Sequence, residues 1–261
     1  IGSGLVGSEM CIRDRLQTMT QRDANIHMTG LPEVQNAPRA FLMDGIAYPK
    51  GASAEPAAPA PVKLYDGVRS NDTELMVMLR RAAAKIVVRI RKGASITFDD
   101  YEAAAGHGCG YYLRNMPIST SLVAEAQQNA EVATPGKNSA GYFQWGIDDD
   151  KSFIGEVRVT AYAYSHDWDG RSALDWEPRL VVNLPMWYHG REGEPGYNPD
   201  REDDNFHANS YYQIPICRPS VKRLERNRCY EVTVEVNAAG ATDASEPVEL
   251  GPIRYSAVSY T

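Results

Sequence analysis

Tyr230, Val232, Val234 and Val236 alternate with Glu231, Thr233, Glu235 and Asn237, and the run ends at Ala238-Ala239-Gly240. A strict period of two puts one set on an apolar face and the other in solvent, which predicts a half-buried β-strand closed by a glycine turn. The same alternation sets Ala84, Ile86, Val88 and Ile90 against Lys85, Val87, Arg89 and Arg91. Just upstream, Leu75, Met76, Met78, Leu79 and the stretch Arg80 to Lys85 carry helical propensity. Propensity is a weak guide, and the β-branched run decides the second half. A strand is expected over 85–91, beginning as early as Glu74. Val157, Val159, Ala161 and Ala163 repeat the pattern against Arg158, Thr160, Tyr162 and Tyr164. Shorter strands are expected over 111–117, over 179–184 before Pro185, over 211–216 and over 248–260.

Between these runs the chain reads as turns and loops. Residues 25–50 hold short apolar patches broken by Gly and Pro, which suit brief β segments. Pro49, Pro56, Pro59 and Pro61 make 52–61 an extended surface loop that cannot enter a sheet interior. Residues 119–126 read as a helical turn or a loop. The stretch 125–139 is poor in apolar residues and is the expected domain boundary. The charged, Gly- and Pro-bearing run 189–206 is expected to be exposed. Many short strands without intervening helices point to an all-β sandwich or barrel.

Composition narrows the function. The chain has 261 residues, with 34 acidic and 27 basic side chains for a net charge of −7, a poor match to phosphate-rich nucleic acid. Tyr outnumbers Phe by 15 to 5, which fits half-wet β surfaces. No apolar run reaches the roughly 18 residues that a membrane-spanning helix needs. Residues 1–15, containing Gly4-Leu5-Val6-Gly7-Ser8-Glu9-Met10-Cys11-Ile12-Arg13-Asp14-Arg15, read as a translated sequencing adapter and are set aside from the fold. Cys109, Cys217 and Cys229 have no CxxC or His spacing, so no zinc site is expected. Cys217 and Cys229 lie near the ends of a hairpin, either bridged or unpaired.

Candidate chemistry is thin. Asp148-Asp149-Asp150 lacks the Gly and closing Glu of a calcium loop and reads as a solvated acidic turn. Tyr164-Ser165-His166-Asp167-Trp168-Asp169 sets a His among carboxylates, yet neighbours along a strand face opposite sides and form no relay. Asp175 and Glu177 have nothing positive to support them as a glycosidase pair. No phosphate-cradling glycine loop or nucleotide fingerprint occurs. No catalytic residue, metal site or cofactor is expected. Trp168, Trp187, Tyr188 and Tyr197 are candidate aromatic platforms for a sugar, or else rings packed within and between sheets.

Several segments, in order, carry a family likeness. Ile26-His27-Met28-Thr29-Gly30, the strand Leu79-Arg80-Arg81-Ala82-Ala83-Ala84-Lys85-Ile86-Val87-Val88 and Tyr112-Leu113-Arg114-Asn115-Met116-Pro117 are three of them. Tyr211-Tyr212-Gln213-Ile214-Pro215-Ile216 and Leu224-Glu225-Arg226-Asn227-Arg228-Cys229-Tyr230 are two more. Together they resemble the Bacteroidales fimbrillin, or type V pilin, superfamily over most of residues 25–261. The resemblance implies two transthyretin-like β-sandwich domains in tandem, 16–135 and 136–261, with the first incomplete and the chain truncated at its N-terminus. It implies a non-enzymatic fimbrial subunit or fimbria-associated adhesin, exported as a lipoprotein to the outer membrane and displayed at the cell surface. Its expected partners are other fimbrial subunits, and host or bacterial surface glycans or proteins. Nucleic acid is not expected, and the membrane is met only through a lipid anchor on the missing N-terminus.

Such subunits polymerise by strand donation, in which one chain's extended segment fills the open sheet margin of the next. The last segment has the form of such a strand. Ile253, Tyr255, Ala257 and Ser259 alternate with Arg254, Ser256, Val258 and Tyr260, and Gly251-Pro252 interrupts the ladder. Val248, Leu250, Ile253, Tyr255, Ala257, Val258 and Tyr260 are the candidate donor or edge residues. Two readings stay open here: donation to a neighbour, or pairing within the chain's own sheet. The alternative function is a monomeric carbohydrate-binding sandwich at the cell surface.

Overall fold

The computed structural model describes residues 43–45, 47–49, 75–99, 110–117, 132–133, 156–190 and 205–259. Eight strands build its body: β1 (Ala83–Lys92), β2 (Gly110–Arg114), β3 (Glu156–Tyr164), β4 (Arg179–Asn183), β5 (Tyr211–Pro215), β6 (Arg228–Val236), β7 (Val248–Glu249) and β8 (Arg254–Ser259). A single helical turn, α1 (Ala173–Trp176), precedes β4. The described fold is all-β apart from such turns.

The strands form two four-stranded sheets, in the orders β3-β1-β6-β8 and β7-β5-β4-β2. In the first sheet β1 pairs antiparallel with β3, bringing Val88 opposite Val159, and parallel with β6, bringing Val88 opposite Val232. In the second sheet β4 lies antiparallel between β2 and β5, so Leu180 stands opposite both Leu113 and Ile214. The alternation read from the sequence supplies the inner faces. Ile86, Val88 and Ile90 of β1, Val232, Val234 and Val236 of β6, and Leu180, Val182 and Ile214 of the second sheet all belong to one buried cluster. Fully burying a side chain of this size contributes about 1.5–3 kcal/mol, so these facing rows dominate the cohesion of the sandwich.

Two expectations are corrected. The early strand does not run unbroken, because Leu75–Val77, Arg80–Arg81 and β1 are separate segments with a break at Ala82. The boundary placed at 135/136 does not divide two cores among the described residues. Strands β1 and β2 precede it, yet each is built into a sheet with strands that follow it. A stretch poor in apolar residues marks a long connection as readily as a linker, and only the partners of the flanking strands tell the two apart. Residues 1–42, with the adapter-like segment and the Ile26–Gly30 motif, lie outside the described residues. So do residues 119–126 and 148–150.

Smaller elements close the body. Met186–Tyr188 pairs with both Ile96–Phe98 and Phe206–His207. The loop after β6 returns over the second sheet, where Tyr211 and Ala241 exchange backbone hydrogen bonds and the Tyr212 hydroxyl donates to Ala238 O at 2.6 Å. A Cβ at Gly240 would stand 2.6 Å from Tyr211 O, so only glycine permits that approach.

Candidate functional site

The final segment lies along one side of the sandwich and forms the margin of both sheets. β7 pairs parallel with β5 through Tyr212↔Val248 and Gln213↔Glu249, and Leu250 N donates to Gln213 O at 3.2 Å. The chain then crosses at Gly251-Pro252, a cis peptide bond, and β8 pairs antiparallel with β6, Val232 opposite Tyr255. Each strand is last in its sheet and bonded along one flank only among the described strands. The arrangement answers how the segment sits within this chain: it pairs with its own sheets.

Its side chains divide into two groups. Leu250, Ile253 and Tyr255 are partly buried and pack against the core. Val248 is 45% exposed, and Arg254, Ser256 and Ala257 are exposed as well. The expected apolar set therefore splits. Val248 and Ala257 are exposed, although they stand opposite the core residues Tyr212 and Tyr230, while Leu250 on the crossing is partly buried. Val258 is in the ladder, but its side chain, like all of Tyr260, lies outside the described residues.

Beneath this margin sits a charged triad. Arg179 Nη2 donates to Glu177 Oε2 at 2.7 Å, and Nη1 donates to Glu249 Oε2 at 2.8 Å. The Arg179 and Glu177 side chains are only 9% and 8% exposed, whereas Glu249 is 54% exposed. Burial pushes the Glu177 carboxyl up, and the Arg179 guanidinium opposes it only in part. Tyr255 lies close by. Burial first, and then the Glu177 charge, raises its phenol to about 12. Arg218 Nη2 adds a hydrogen bond to Tyr255 O at 3.0 Å.

A second constellation was not read from the sequence, although Asn115, Arg226 and Asn227 sit inside the family-like motifs. Asn115 and Asn227 both take a left-handed backbone with φ of 57°. Asn115 Nδ2 donates to Leu174 O and Glu177 O, tying the α1 turn to the end of β2. Asn227 turns the chain into β6, with its N–H donating to Ala83 O. Beside it the Arg226 guanidinium reaches Asp44 Oδ2 at 2.8 Å. Asn enters this conformation more readily than other non-glycine residues, and that propensity was the available signal.

The aromatic platform expected at Trp168 is corrected. Trp168 is 2% exposed, with the His166 ring stacked 5.5 Å away, and the Trp176 ring stacks on His166 at 6.1 Å. A ring closed in by its neighbours offers no face to a sugar. Trp187 is half-buried and tilts onto Phe206 at 4.9 Å, and Tyr188 packs against the core. Tyr197 lies outside the described residues. His166 Nε2 donates to Trp176 O at 2.9 Å, and burial holds the imidazole below its usual range. Its neighbours along the chain make no relay, since Asp167 Oδ1 instead accepts from Asp169 N. Cys217 and Cys229 are free and buried, which settles their pairing, and burial pushes the Cys217 thiol up to about 12. Among the described residues no group of three His, Cys, Asp or Glu side chains is placed to hold a metal ion, and no helix is long and apolar enough to cross a membrane.

No family model and no curated protein matches the chain. Solved structures do. The tip fimbrial protein Mfa3 from Porphyromonas gingivalis, with C-terminal truncation, matches at 12% identity and a TM-score of 0.39, over 70% of this chain and 52% of that one. A candidate cell adhesion protein from Bacteroides eggerthii matches at 18% identity and a TM-score of 0.37, over 70% of this chain and 56% of that one. A fimbrilin, FimA, from Porphyromonas gingivalis W83 matches at 14% identity and a TM-score of 0.44, over 94% of this chain and 73% of that one. The chain thus spans about half the length of the first two.

Proposed function

We propose that the chain is a structural or adhesive subunit of a bacterial cell-surface fimbria, and that residues 248–261 form the strand through which copies or related subunits join. The single observation that carries the reading is the position of the terminal segment, which forms the margin of both sheets and, among the described strands, is paired along one flank only. A segment of this kind exposes unpaired N–H and C=O groups along its outer flank while its apolar residues cover the core, the two features that strand addition uses. The ordered motifs at 79–88, 112–117 and 224–230 support the family. Under this reading the sandwich is transthyretin-like, the protein is exported and anchored to the outer membrane by lipid, and it works without catalysis.

Deleting residues 248–261 and examining the secreted chain by electron microscopy and denaturing gels tests the proposal. The full chain is expected to give filaments or ladders of multimers, and the deletion to give none while keeping a β-rich circular dichroism spectrum. Unchanged assembly of the deleted chain removes the role of this strand.

A further inference from the structure

We infer that Arg179 is the specificity-determining residue of this margin: its free arm reads the acid of the segment lying there and sets that segment's register. The inference rests on the proposed role of the segment in assembly and names the residue that selects it.

The guanidinium is a rigid fork, and its two arms are used differently here. One arm is engaged by Glu177, on the loop between α1 and β4, so the buried positive charge is balanced within the body whether or not the segment is present. The other arm points to the margin and takes Glu249 from β7. A buried donor left without an acceptor is costly, so this arm discriminates between a segment that presents a carboxylate and one that does not.

Register is the second part of the inference. The β7 ladder has only two residue pairs, too few to fix alignment on their own. The acid nearest to Glu249 in sequence is Glu246, three residues earlier and just before the segment. A slip that brought Glu246 to Arg179 would shift the strand by an odd number of residues and turn Leu250 out of the core. Only the observed alignment gives Arg179 Nη1 the Glu249 carboxylate and buries Leu250 and Ile253 together. Any segment occupying the margin, from this chain or from a second copy, meets the same requirement.

The test uses the full chain as a monomer in solution. In E249Q, amide exchange over residues 248–259 is expected to rise about tenfold, the difference between a hydrogen bond to a carboxylate and one to the neutral amide oxygen that Gln keeps, while exchange in β1 and β4 stays the same. Added salt should speed exchange of the segment in the natural chain and leave E249Q unchanged, because Glu249 is half-exposed and screened. A fluorescent peptide of residues 246–261 should enter the E249Q chain about tenfold better than the same peptide carrying Gln at 249. Equal entry of the two peptides, or a segment protected as well in E249Q as in the natural chain, overturns the assignment. If the full chain forms no filaments but these results hold, the fimbrial reading falls and the role of Arg179 stands.

Discussion

Arg226 and Asp44 meet through a 2.8 Å hydrogen bond between Nη2 and Oδ2, with side chains 6% and 12% exposed, although 182 positions separate them in sequence. The pair fastens the strand Met43–Asp44, which is bonded to Arg80–Arg81, onto the turn that launches β6. Breaking a buried ion pair from one side leaves an uncompensated charge and costs about 3–5 kcal/mol. Asp44→Ala is expected to lower the unfolding free energy extrapolated from urea titration by an amount in that range. The double variant Asp44→Ala with Arg226→Met should recover part of the loss, because no charge is then stranded. A double variant no more stable than the single one would show that the pair is not what holds the strand.

Asn227 gives a backbone prediction. Its φ of 57° costs an ordinary L-residue about 1–2 kcal/mol, and glycine almost nothing. Asn227→Ala is expected to destabilise by about that amount. Asn227→Gly removes the Oδ1 that accepts from Arg81 N, as Ala does, but avoids the backbone cost, so it should be the more stable of the two variants by about 1 kcal/mol. Paired thermal melts decide the matter, and equal melting of the Ala and Gly variants counts against the turn geometry as the cause.

His166 makes stability depend on pH. Burial lowers its pKa in the folded chain below 6.5, so between the two values the unfolded chain binds the extra proton. Stability is therefore complete above about 6.5 and falls as the pH drops from there toward the folded value. Asp167 works to raise that pKa, and Arg171 works to lower it along with burial. His166→Phe is expected to flatten this part of the curve, leaving the carboxylates to govern the more acidic range. Melting temperatures across pH 5 to 8 for both chains test it (about the range in which an ordinary His titrates). Identical slopes would exclude His166 as the source.

Much of the fold was legible because it is local. The alternation at 230–236 and at 84–90 fixed which face each residue presents, and the structure places Val232 and Val88 side by side in the core. The terminal strand was legible for the same reason, though the inward role of Leu250 depends on the crossing between sheets, which no period of two encodes. What stayed hidden is set by distant partners. Trp168 looks like any loop aromatic until the fold buries it with the His166 ring stacked against it. Residues 125–139 read as a linker because their composition is local, while the pairing of β2 with β4 across them is not. Arg179 stands at the start of an apolar strand as an apparently solvent-facing charge, and only the fold brings Glu177 and Glu249 to it.

The parallel pairing of β1 with β6 has a kinetic consequence. Lys85 finds its neighbour at Cys229, and Lys92 finds its own at Val236. A chain emerging from a ribosome cannot close the full β1–β6 ladder until residue 236 is free. Such high contact order slows folding and delays the closure of this sheet.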